Sequence, residues 1–305
     1  MRKIILLALS LSAIFSVHAH TFSANQDVVG QLQTTVVKSG DTLAQVARDH
    51  DMGYVEMEEA NPGIDDPDRP LTPGTVLVIP SQFILPNAPH RGIVVNLAEM
   101  RLYYYSGNQV ITHPIGIGRE GEDTPVSVLK IIEHIPNPTW YVPDSIRKMR
   151  AAQGVFLPRS VPPGPDNPLG NYAMRLSTPP KGGNYLMHGT NDPLGGIGRR
   201  SSSGCMRMYP EDIKTLYNLV QNGTPVYVVN EPYKAGWSSQ GDLYLESHIP
   251  LNGGDDQVQK DAGRIRQIVE QAAKGKNLNV NWDTIQTISE ETQGLPQVIA
   301  RPNTA

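Results

Sequence analysis

The chain has 305 residues, with 26 basic against 30 acidic side chains and a formal net charge of −4. A net negative charge argues against nonspecific nucleic-acid binding, which depends on neutralising phosphates. The 28 glycines, 26 prolines and 12 tyrosines favour a loop-rich, strand-rich protein over a helical bundle.

Residues 1–19 have the pattern of a cleaved secretory signal peptide. Arg2 and Lys3 precede an apolar run over 4–17, and small residues end at Ala19. The run is shorter than the roughly 20 residues of a membrane-spanning helix, and it has no cysteine that a lipid anchor would need. We therefore expect cleavage after Ala19, a periplasmic protein and no membrane span.

A compact unit is predicted over residues 35–80. The preceding residues 20–33 are polar and without pattern, and we expect them to be a linker. Helical spacing of apolar residues and breakers such as Pro73-Gly74 predict two strands around two helices. Their predicted bounds are 36–38, 42–50, 54–60 and 75–80.

The motifs Gly40-Asp41-Thr42-Leu43 and Asn61-Pro62, followed by residues 71–80, resemble a LysM domain. The resemblance implies binding of N-acetylglucosamine-containing glycans, including peptidoglycan. It implies that Gly40, Asp41, Thr42, Asn61 and Pro62 lie at the contact edge. Each of these residues also has a structural explanation as a turn or cap residue, with Asp41 or Thr42 as an N-cap.

A second domain is predicted over residues 91–230, after a short linker over 81–91. Many short strands and few helices predict a β-sandwich or mixed β-fold. Strands are expected at 92–96, 101–105, 110–117, 125–135, 172–177, 184–187 and 225–229, with helices at 144–153 and 210–220. The remaining residues, 231–305, are predicted to form an extension in which an amphipathic helix over 257–274 packs against this domain.

Cys205 is the only cysteine. In a secreted protein a lone cysteine is an inert core thiol, an intermolecular bridge or a nucleophile. Its neighbours favour a nucleophile, because Gly204 precedes it and Arg207 follows. Among the eight histidines, His188 ends an apolar strand and is followed by Gly189. A histidine there can serve as the base while a backbone carbonyl orients its ring.

The residues around Cys205 suggest how a substrate is held. Gly204 has no Cβ, so the chain can approach a substrate closely, and the amides of Gly204 and Cys205 can stabilise an oxyanion. In a strand Arg207 shares a face with Cys205, where it suits a substrate carboxylate. A surface ion pair is the alternative for Arg207. Glu211 and Asp212 fit the N-terminal charges of a helix better than a catalytic role.

The stretches His188-Gly189-Thr190, Gly196-Ile197-Gly198 and Ser202–Met208 resemble the YkuD-type L,D-transpeptidase catalytic domain. The resemblance implies a mainly β, α+β fold: a YkuD-like β-sandwich catalytic domain, a small βααβ LysM domain and a C-terminal helical extension. It also implies that Cys205 is the nucleophile, His188 the general base and Gly189 the source of the orienting carbonyl.

One position differs from the family pattern. Many members carry histidine where this chain has Ser203. A serine can donate a hydrogen bond to a substrate, but it takes no proton at neutral pH. The general-base role therefore depends on His188 alone.

The resemblance implies transfer from a peptidoglycan tetrapeptide stem through a cysteine thioester. The acceptor would be a second stem, giving a 3→3 crosslink, or the lysine of an envelope lipoprotein. Water or a free D-amino acid as acceptor gives an L,D-carboxypeptidase or an exchange reaction on the same stem. Two alternatives from other classes are a non-catalytic peptidoglycan-binding protein and a general cysteine hydrolase. No cofactor or metal is expected, because no Cys/His cluster has metal-ligand spacing.

Overall fold

The computed structural model describes residues 20–64, 66, 68–251 and 262–302. The predicted signal peptide, residues 1–19, lies outside them. In this described part of the chain, no helix has both the length and the apolar character that crossing a membrane requires.

The elements are numbered in chain order. The first part of the chain carries β1 (His20–Ser23), β2 (Val28–Gly30), β3 (Gln33–Val36), α1 (Leu43–Asp49), α2 (Tyr54–Glu59), β4 (Val76–Ile79) and β5 (Gln82–Ile84). The middle part carries β6 (Gly92–Asn96), β7 (Arg101–Ser106), β8 (Gln109–Pro114), β9 (Ile117–Gly118), β10 (Ser127–Pro136), β11 (Trp140–Tyr141), α3 (Asp144–Ala152), β12 (Ser160–Val161), β13 (Tyr172–Leu176), β14 (Leu186–His188), α4 (Pro193–Gly196), β15 (Arg200–Ser202), β16 (Met206–Arg207), α5 (Pro210–Leu219) and β17 (Pro225–Val229). The last part carries β18 (Tyr233–Trp237), β19 (Leu243–Ser247), α6 (Ala262–Ala273), α7 (Trp282–Glu291) and β20 (Gln297–Ala300).

A nine-stranded mixed sheet forms the centre of the molecule, in the order β1-β8-β7-β6-β17-β10-β13-β14-β16. The parallel pairs are β6 with β17 and β14 with β16. The prediction of a mainly β fold with few helices is confirmed. The predicted strands at 92–96 and 225–229 have the predicted bounds.

Both faces of this sheet are buried at β6. Ile93 and Val95 of β6 point into one core, whereas Val94 points into another on the opposite face. On that second face Val94 and Tyr103 pack with Leu43 and Met57 of the 35–80 unit. The period of two along a strand thus gives one sheet two cores. The 35–80 unit is therefore packed onto the sheet over a shared apolar core.

Buried polar contacts cross the same boundary. The Arg101 guanidinium Nε lies 2.5 Å from Glu56 Oε1, and both side chains are buried. The Tyr209 hydroxyl donates to the carbonyl of Met52 over 3.1 Å. Buried ionic groups persist only when they are paired, so these contacts tie the unit to one orientation on the sheet.

Two segments that the sequence predicted to be linkers are strands, so those two predictions are wrong. Within 20–33, β1 pairs antiparallel with β8, placing Phe22 opposite Val110. Within 81–91, β5 pairs with β2, and Phe83 is buried. Each strand is stabilised by a partner far along the chain, which local sequence does not reveal.

The C-terminal extension has a core of its own. Its sheet has the order β18-β19-β20, and Ile265 and Val269 of α6 are buried against it together with Ile285 of α7. The prediction that the amphipathic helix packs against the catalytic domain is therefore wrong. The first turn predicted for that helix lies outside the described residues. The extension joins the rest of the molecule through Glu246, whose Oε2 accepts from the amide of Ile84 at 2.7 Å.

Candidate active site

His188 ends β14, and Cys205 immediately precedes the neighbouring parallel strand β16. In the pairing of β14 with β16, Met187 is opposite Met206 and His188 is opposite Arg207. The two methionines are fully buried in the core. Because side chains alternate along a strand, His188, Arg207 and Cys205, which immediately precedes β16, point to the other face. The fold thus brings a base, a thiol and a cation onto one side of the sheet.

The ring of His188 is oriented by the next residue in the chain. Its Nδ1 lies 2.6 Å from the carbonyl oxygen of Gly189. A carbonyl only accepts, so Nδ1 carries the proton and Nε2 is left with its lone pair. Burial, together with the charge of Arg207, lowers the pKa of His188 to about 4. The imidazole is therefore neutral near pH 7 and able to accept a proton.

The thiol of Cys205 is also neutral at rest. Burial raises its pKa above the ordinary value, although the Leu186 backbone and the Arg207 charge oppose that rise. A cysteine attacks as a thiolate. The arrangement consequently favours transfer of the thiol proton to His188 as the sulfur attacks, rather than a preformed thiolate–imidazolium pair.

The turn before the nucleophile requires glycine. Gly204 has φ +96, and a Cβ there would lie 2.8 Å from the Tyr185 ring. The hydroxyl of Thr124 donates to the Gly204 carbonyl at 2.9 Å. The Ser202 hydroxyl donates to the carbonyl of Cys205 at 2.6 Å. Sequence reasoning missed Thr124, Tyr185 and Ser202; of these, only Ser202 lies within the motif around the nucleophile.

The predicted oxyanion contact of Gly204 needs a correction. Its amide donates to the Ser202 hydroxyl at 3.1 Å, so the loop already uses this donor. The prediction that the amide of Cys205 stabilises the oxyanion is unaffected. The contribution of Gly204 that the geometry supports is its left-handed backbone and its close packing against Tyr185.

The guanidinium of Arg207 is a cation close to the nucleophile. Its Nη1 donates to the Ser201 hydroxyl at 3.2 Å, and its buried Nε has no hydrogen-bond partner among the described residues. Over the same residues, no carboxylate lies within ion-pair distance of its guanidinium. Since a guanidinium binds carboxylates through paired hydrogen bonds, the site suits a carboxylate of the substrate.

Ser203 is exposed. Its hydroxyl, together with Arg119, keeps the pKa of the nearby Glu122 carboxyl below its usual value. The Arg119 guanidinium pairs with the same carboxylate at 2.7 Å. The substrate-binding role of Ser203 remains a prediction.

The polar side chains predicted to bind glycan make hydrogen bonds within the LysM-like unit. The side chain of Asp41 accepts from the amide of Lys38 at 2.8 Å, and that of Thr42 caps α1 by accepting from Gln45 at 3.2 Å. These are turn and cap contacts of the kind that the local sequence also allowed.

The side chain of Asn61 makes three hydrogen bonds within the same unit. Its amide donates to the carbonyls of Met57 and Val78, at 2.8 and 2.9 Å, and accepts from the Val78 amide at 2.8 Å. The side chain thus joins α2 to β4, and glycan contact by Asn61 remains a prediction. Gly40 and Pro62 are exposed, so glycan contact at this edge remains a prediction for them.

Two buried groups have donor atoms close enough to hold a metal ion. They are Asp51–His113–Asp212 and Glu99–Glu246–His248. Neither contains Cys205 or His188.

Each group already has an internal cation. His113 Nδ1 lies 3.5 Å from Asp51 and 3.2 Å from Asp212. Lys234 Nζ lies 2.7 Å from Glu99 and 3.0 Å from Glu246. These groups are best described as ion-pair clusters that join units of the fold. No role for His113 was predictable from local sequence, because its partners come from distant parts of the chain.

Comparison with known proteins identifies the family of the chain. The family model of the L,D-transpeptidase catalytic domain matches residues 90–228, and that of the LysM domain matches residues 35–80. The chain is 44% identical over 236 residues to the "probable L,D-transpeptidase YcfS" of Escherichia coli, covering 75% of this chain and 72% of that protein. This protein belongs to the L,D-transpeptidase family. It is an enzyme of that class, a cysteine-dependent acyltransferase.

Two further comparisons give the range of similarity within the family. The "probable L,D-transpeptidase ErfK/SrfK" of Salmonella typhimurium is 37% identical over 279 residues, covering 88% of this transpeptidase and 86% of the relative. The catalytic domain of the Enterococcus faecium L,D-transpeptidase is 22% identical, with a TM-score of 0.35, covering 47% of this chain and 99% of that one.

Proposed function

We propose that this transpeptidase transfers the acyl group of a peptidoglycan tetrapeptide stem to an amine. The thiol of Cys205 attacks the carbonyl at the L-centre of the third residue, and the terminal D-alanine leaves. The thioester that forms on the sulfur is then attacked by the acceptor amine, which releases the enzyme.

His188 moves the proton in both halves of this reaction. Its Nε2 takes the thiol proton as Cys205 attacks and returns it to the departing D-alanine amine. In the second half it takes a proton from the acceptor amine, and the thiol is restored when the thioester breaks. The single observation that carries the proposal is this neutral imidazole, held at 2.6 Å by the Gly189 carbonyl on the sheet face of the only thiol.

The remaining site residues bind the donor stem. Arg207 provides the cation for a carboxylate of the stem, and the Cys205 amide donates to the oxyanion. A diamino acid of a second stem and the lysine of an envelope lipoprotein are the two acceptors that we propose. Both present a primary amine, so one site suffices for both.

The site of action that we propose is the periplasm. The pattern of residues 1–19 supports export, and the LysM domain supports binding to peptidoglycan. The LysM domain would hold the enzyme on the wall while the stem enters the active site.

The test is transfer by the purified full-length enzyme. A soluble tetrapeptide stem is offered with a diamino acid stem, with a lysine peptide or with a free D-amino acid, and products are identified by mass spectrometry. Loss of D-alanine with formation of an amide product supports the proposal. Products made only with water would make the enzyme an L,D-carboxypeptidase, and no D-alanine release would overturn the proposal.

Wall binding is tested separately. The full-length enzyme should co-sediment with purified sacculi, and co-sedimentation should survive Cys205→Ala because glycan binding does not use the thiol. Failure of both proteins to co-sediment would contradict the proposed role of the LysM domain.

A further inference from the structure

The LysM domain touches the segment that leads from His188 to Cys205. The amide of Val55, in the first turn of α2, donates to the carbonyl of Gly198 over 3.0 Å. Gly198 has φ +64, and a Cβ there would lie 2.2 Å from the Tyr54 nitrogen and 2.3 Å from the Gly53 Cα. The two backbones are therefore in direct contact, and no side chain fits between them.

The next residue is held by side chains of the same domain. The Arg199 guanidinium lies 3.2 Å from the centre of the Tyr54 ring. It also pairs with Asp68 at 2.8 Å, and the Tyr54 hydroxyl donates to that same carboxylate oxygen at 2.9 Å. We call these three residues, Tyr54, Asp68 and Arg199, the clamp.

The segment held by the clamp runs directly into the nucleophile loop. β15 follows Arg199, and its Ser201 hydroxyl accepts from the guanidinium of Arg207 at 3.2 Å. Its Ser202 hydroxyl accepts from Gly204 and donates to the Cys205 carbonyl. Two residues of one short strand thus position the substrate cation and the nucleophile.

We propose that the LysM domain is a positioning element for Cys205 and Arg207, in addition to binding the wall. It acts through Gly198 and the clamp, and β15 carries the constraint to the active site. Small displacements of catalytic groups are costly to turnover. Weakening the contact should therefore slow transfer even on stems that carry no glycan. This inference rests on the proposed function.

The first test replaces the glycine at the contact. Gly198→Ala introduces a Cβ into the LysM backbone, and Gly223→Ala is its matched control. Gly223 also has a positive φ, +94, but nothing lies within 4 Å of its Cβ position. On a soluble, glycan-free tetrapeptide stem, Gly198→Ala should lower kcat by about tenfold or more, and Gly223→Ala should leave it near the wild-type value.

The second test leaves the backbone unchanged. Arg199→Gln removes the ring contact and the ion pair of the clamp. Arg266→Gln is the matched control, because Arg266 also stacks on an aromatic ring, that of Trp282 at 4.5 Å, and pairs with Glu270 at 3.3 Å. Arg199→Gln should lower kcat by about threefold, whereas Arg266→Gln should not change it.

Two readouts separate positioning from stability. Rates are expressed per folded enzyme, with the folded fraction taken from the thermal unfolding curve of each variant, and the effect should fall on kcat while KM for the stem stays unchanged. Normal kcat in both Gly198→Ala and Arg199→Gln would overturn the inference, and so would equal losses in a variant and its control. Failure of the wild-type enzyme to transfer at all would overturn the proposed function, and the inference with it.

Discussion

Two buried histidines of this transpeptidase have opposite charge states. His188 is 4% exposed and His113 is 0% exposed, so burial favours the neutral form of both rings. Burial and the Arg207 cation lower the pKa of His188 to about 4, although the hydrogen bond to the Gly189 carbonyl opposes that fall. His113 lies between the carboxylates of Asp51 and Asp212, which outweigh the effect of burial and raise its pKa to about 10.

The comparison shows that the neighbouring charges determine which of the two buried rings is neutral and which is protonated. The neutral ring can act as a base in catalysis, whereas the protonated ring stabilises the fold. His188 is a neutral base on the open face of the sheet. His113 is a cation that joins the LysM domain, through Asp51, to α5, through Asp212. Changes at the first site should affect turnover, and changes at the second should affect stability.

The largest effect is expected at the active-site thiol. Cys205→Ala should abolish transfer and leave the thermal midpoint close to that of the wild type, because the described chain offers no second thiol. Transfer assays and thermal unfolding on one preparation measure both. More than a trace of wild-type transfer by the alanine variant would refute the nucleophile assignment.

The reverse pattern is expected at the second histidine. His113→Ala leaves the buried Asp212 carboxylate without its cation, beside Asp51, whose pKa burial raises to about 8, and should lower the free energy of unfolding by about 3–5 kcal/mol. The control is His134→Ala, whose half-buried ring contacts the side chain of Asn222 and lies T-shaped against the ring of Tyr217. That control should cost on the order of 1 kcal/mol or less. Similar losses in both variants, measured by urea unfolding, would mean that the cluster adds no special stability.

Arg207→Lys should lower catalytic efficiency while leaving stability nearly unchanged. The variant keeps the charge but loses the planar fork, and such a contact is worth about 1.5–3 kcal/mol, or roughly ten- to a hundredfold. The thermal midpoint should change little, since Arg207 has no carboxylate partner among the described residues. If folded Arg207→Lys kept full kcat/KM, the carboxylate-binding role would be wrong.

The free energy of unfolding should fall both at low pH and at high pH, for opposite reasons. We call these two ranges the acid limb and the alkaline limb. The folded pKa of His188, about 4, lies below its ordinary 6.5, so its contribution is lost as pH falls through that interval. The folded pKa of His113, about 10, lies above 6.5, so its contribution is complete below pH 6.5 and is lost as pH rises towards 10.

One variant tests each ring. His113 shares the alkaline interval with His248, whose pKa is also raised to about 10, and with Asp51, whose pKa burial raises to about 8. Urea midpoints measured across pH should show that His188→Gln reduces the acid limb and that His113→Gln reduces the alkaline limb. The opposite assignment, or no change in either limb, would show that the two rings do not differ as described.

Local sequence predicted the parts of the fold that depend on local patterns. The strands at 92–96 and 225–229 and the helix beginning at Pro210 follow from runs and periods of apolar residues. The lone thiol and the histidine before glycine were identifiable for the same reason, since each lies in a short motif.

Features that depend on long-range pairing could not be predicted from local sequence. β1 is polar and short, and only its pairing with β8 makes it a strand. The setting of His113 depends on Asp51 and Asp212, which belong to other elements. The hydrogen bond from the Gly204 amide to the Ser202 hydroxyl could not be predicted, because the folded loop determines where that hydroxyl points.

The most direct test is an imidazole titration of the full-length enzyme by NMR, with His188→Gln and His113→Gln used to assign the two rings. The His188 ring should stay neutral, with the proton on Nδ1, down to about pH 4. The His113 ring should stay protonated up to about pH 10. Titration of both rings near the ordinary value of 6.5 would contradict the account, and so would a protonated His188 at pH 7.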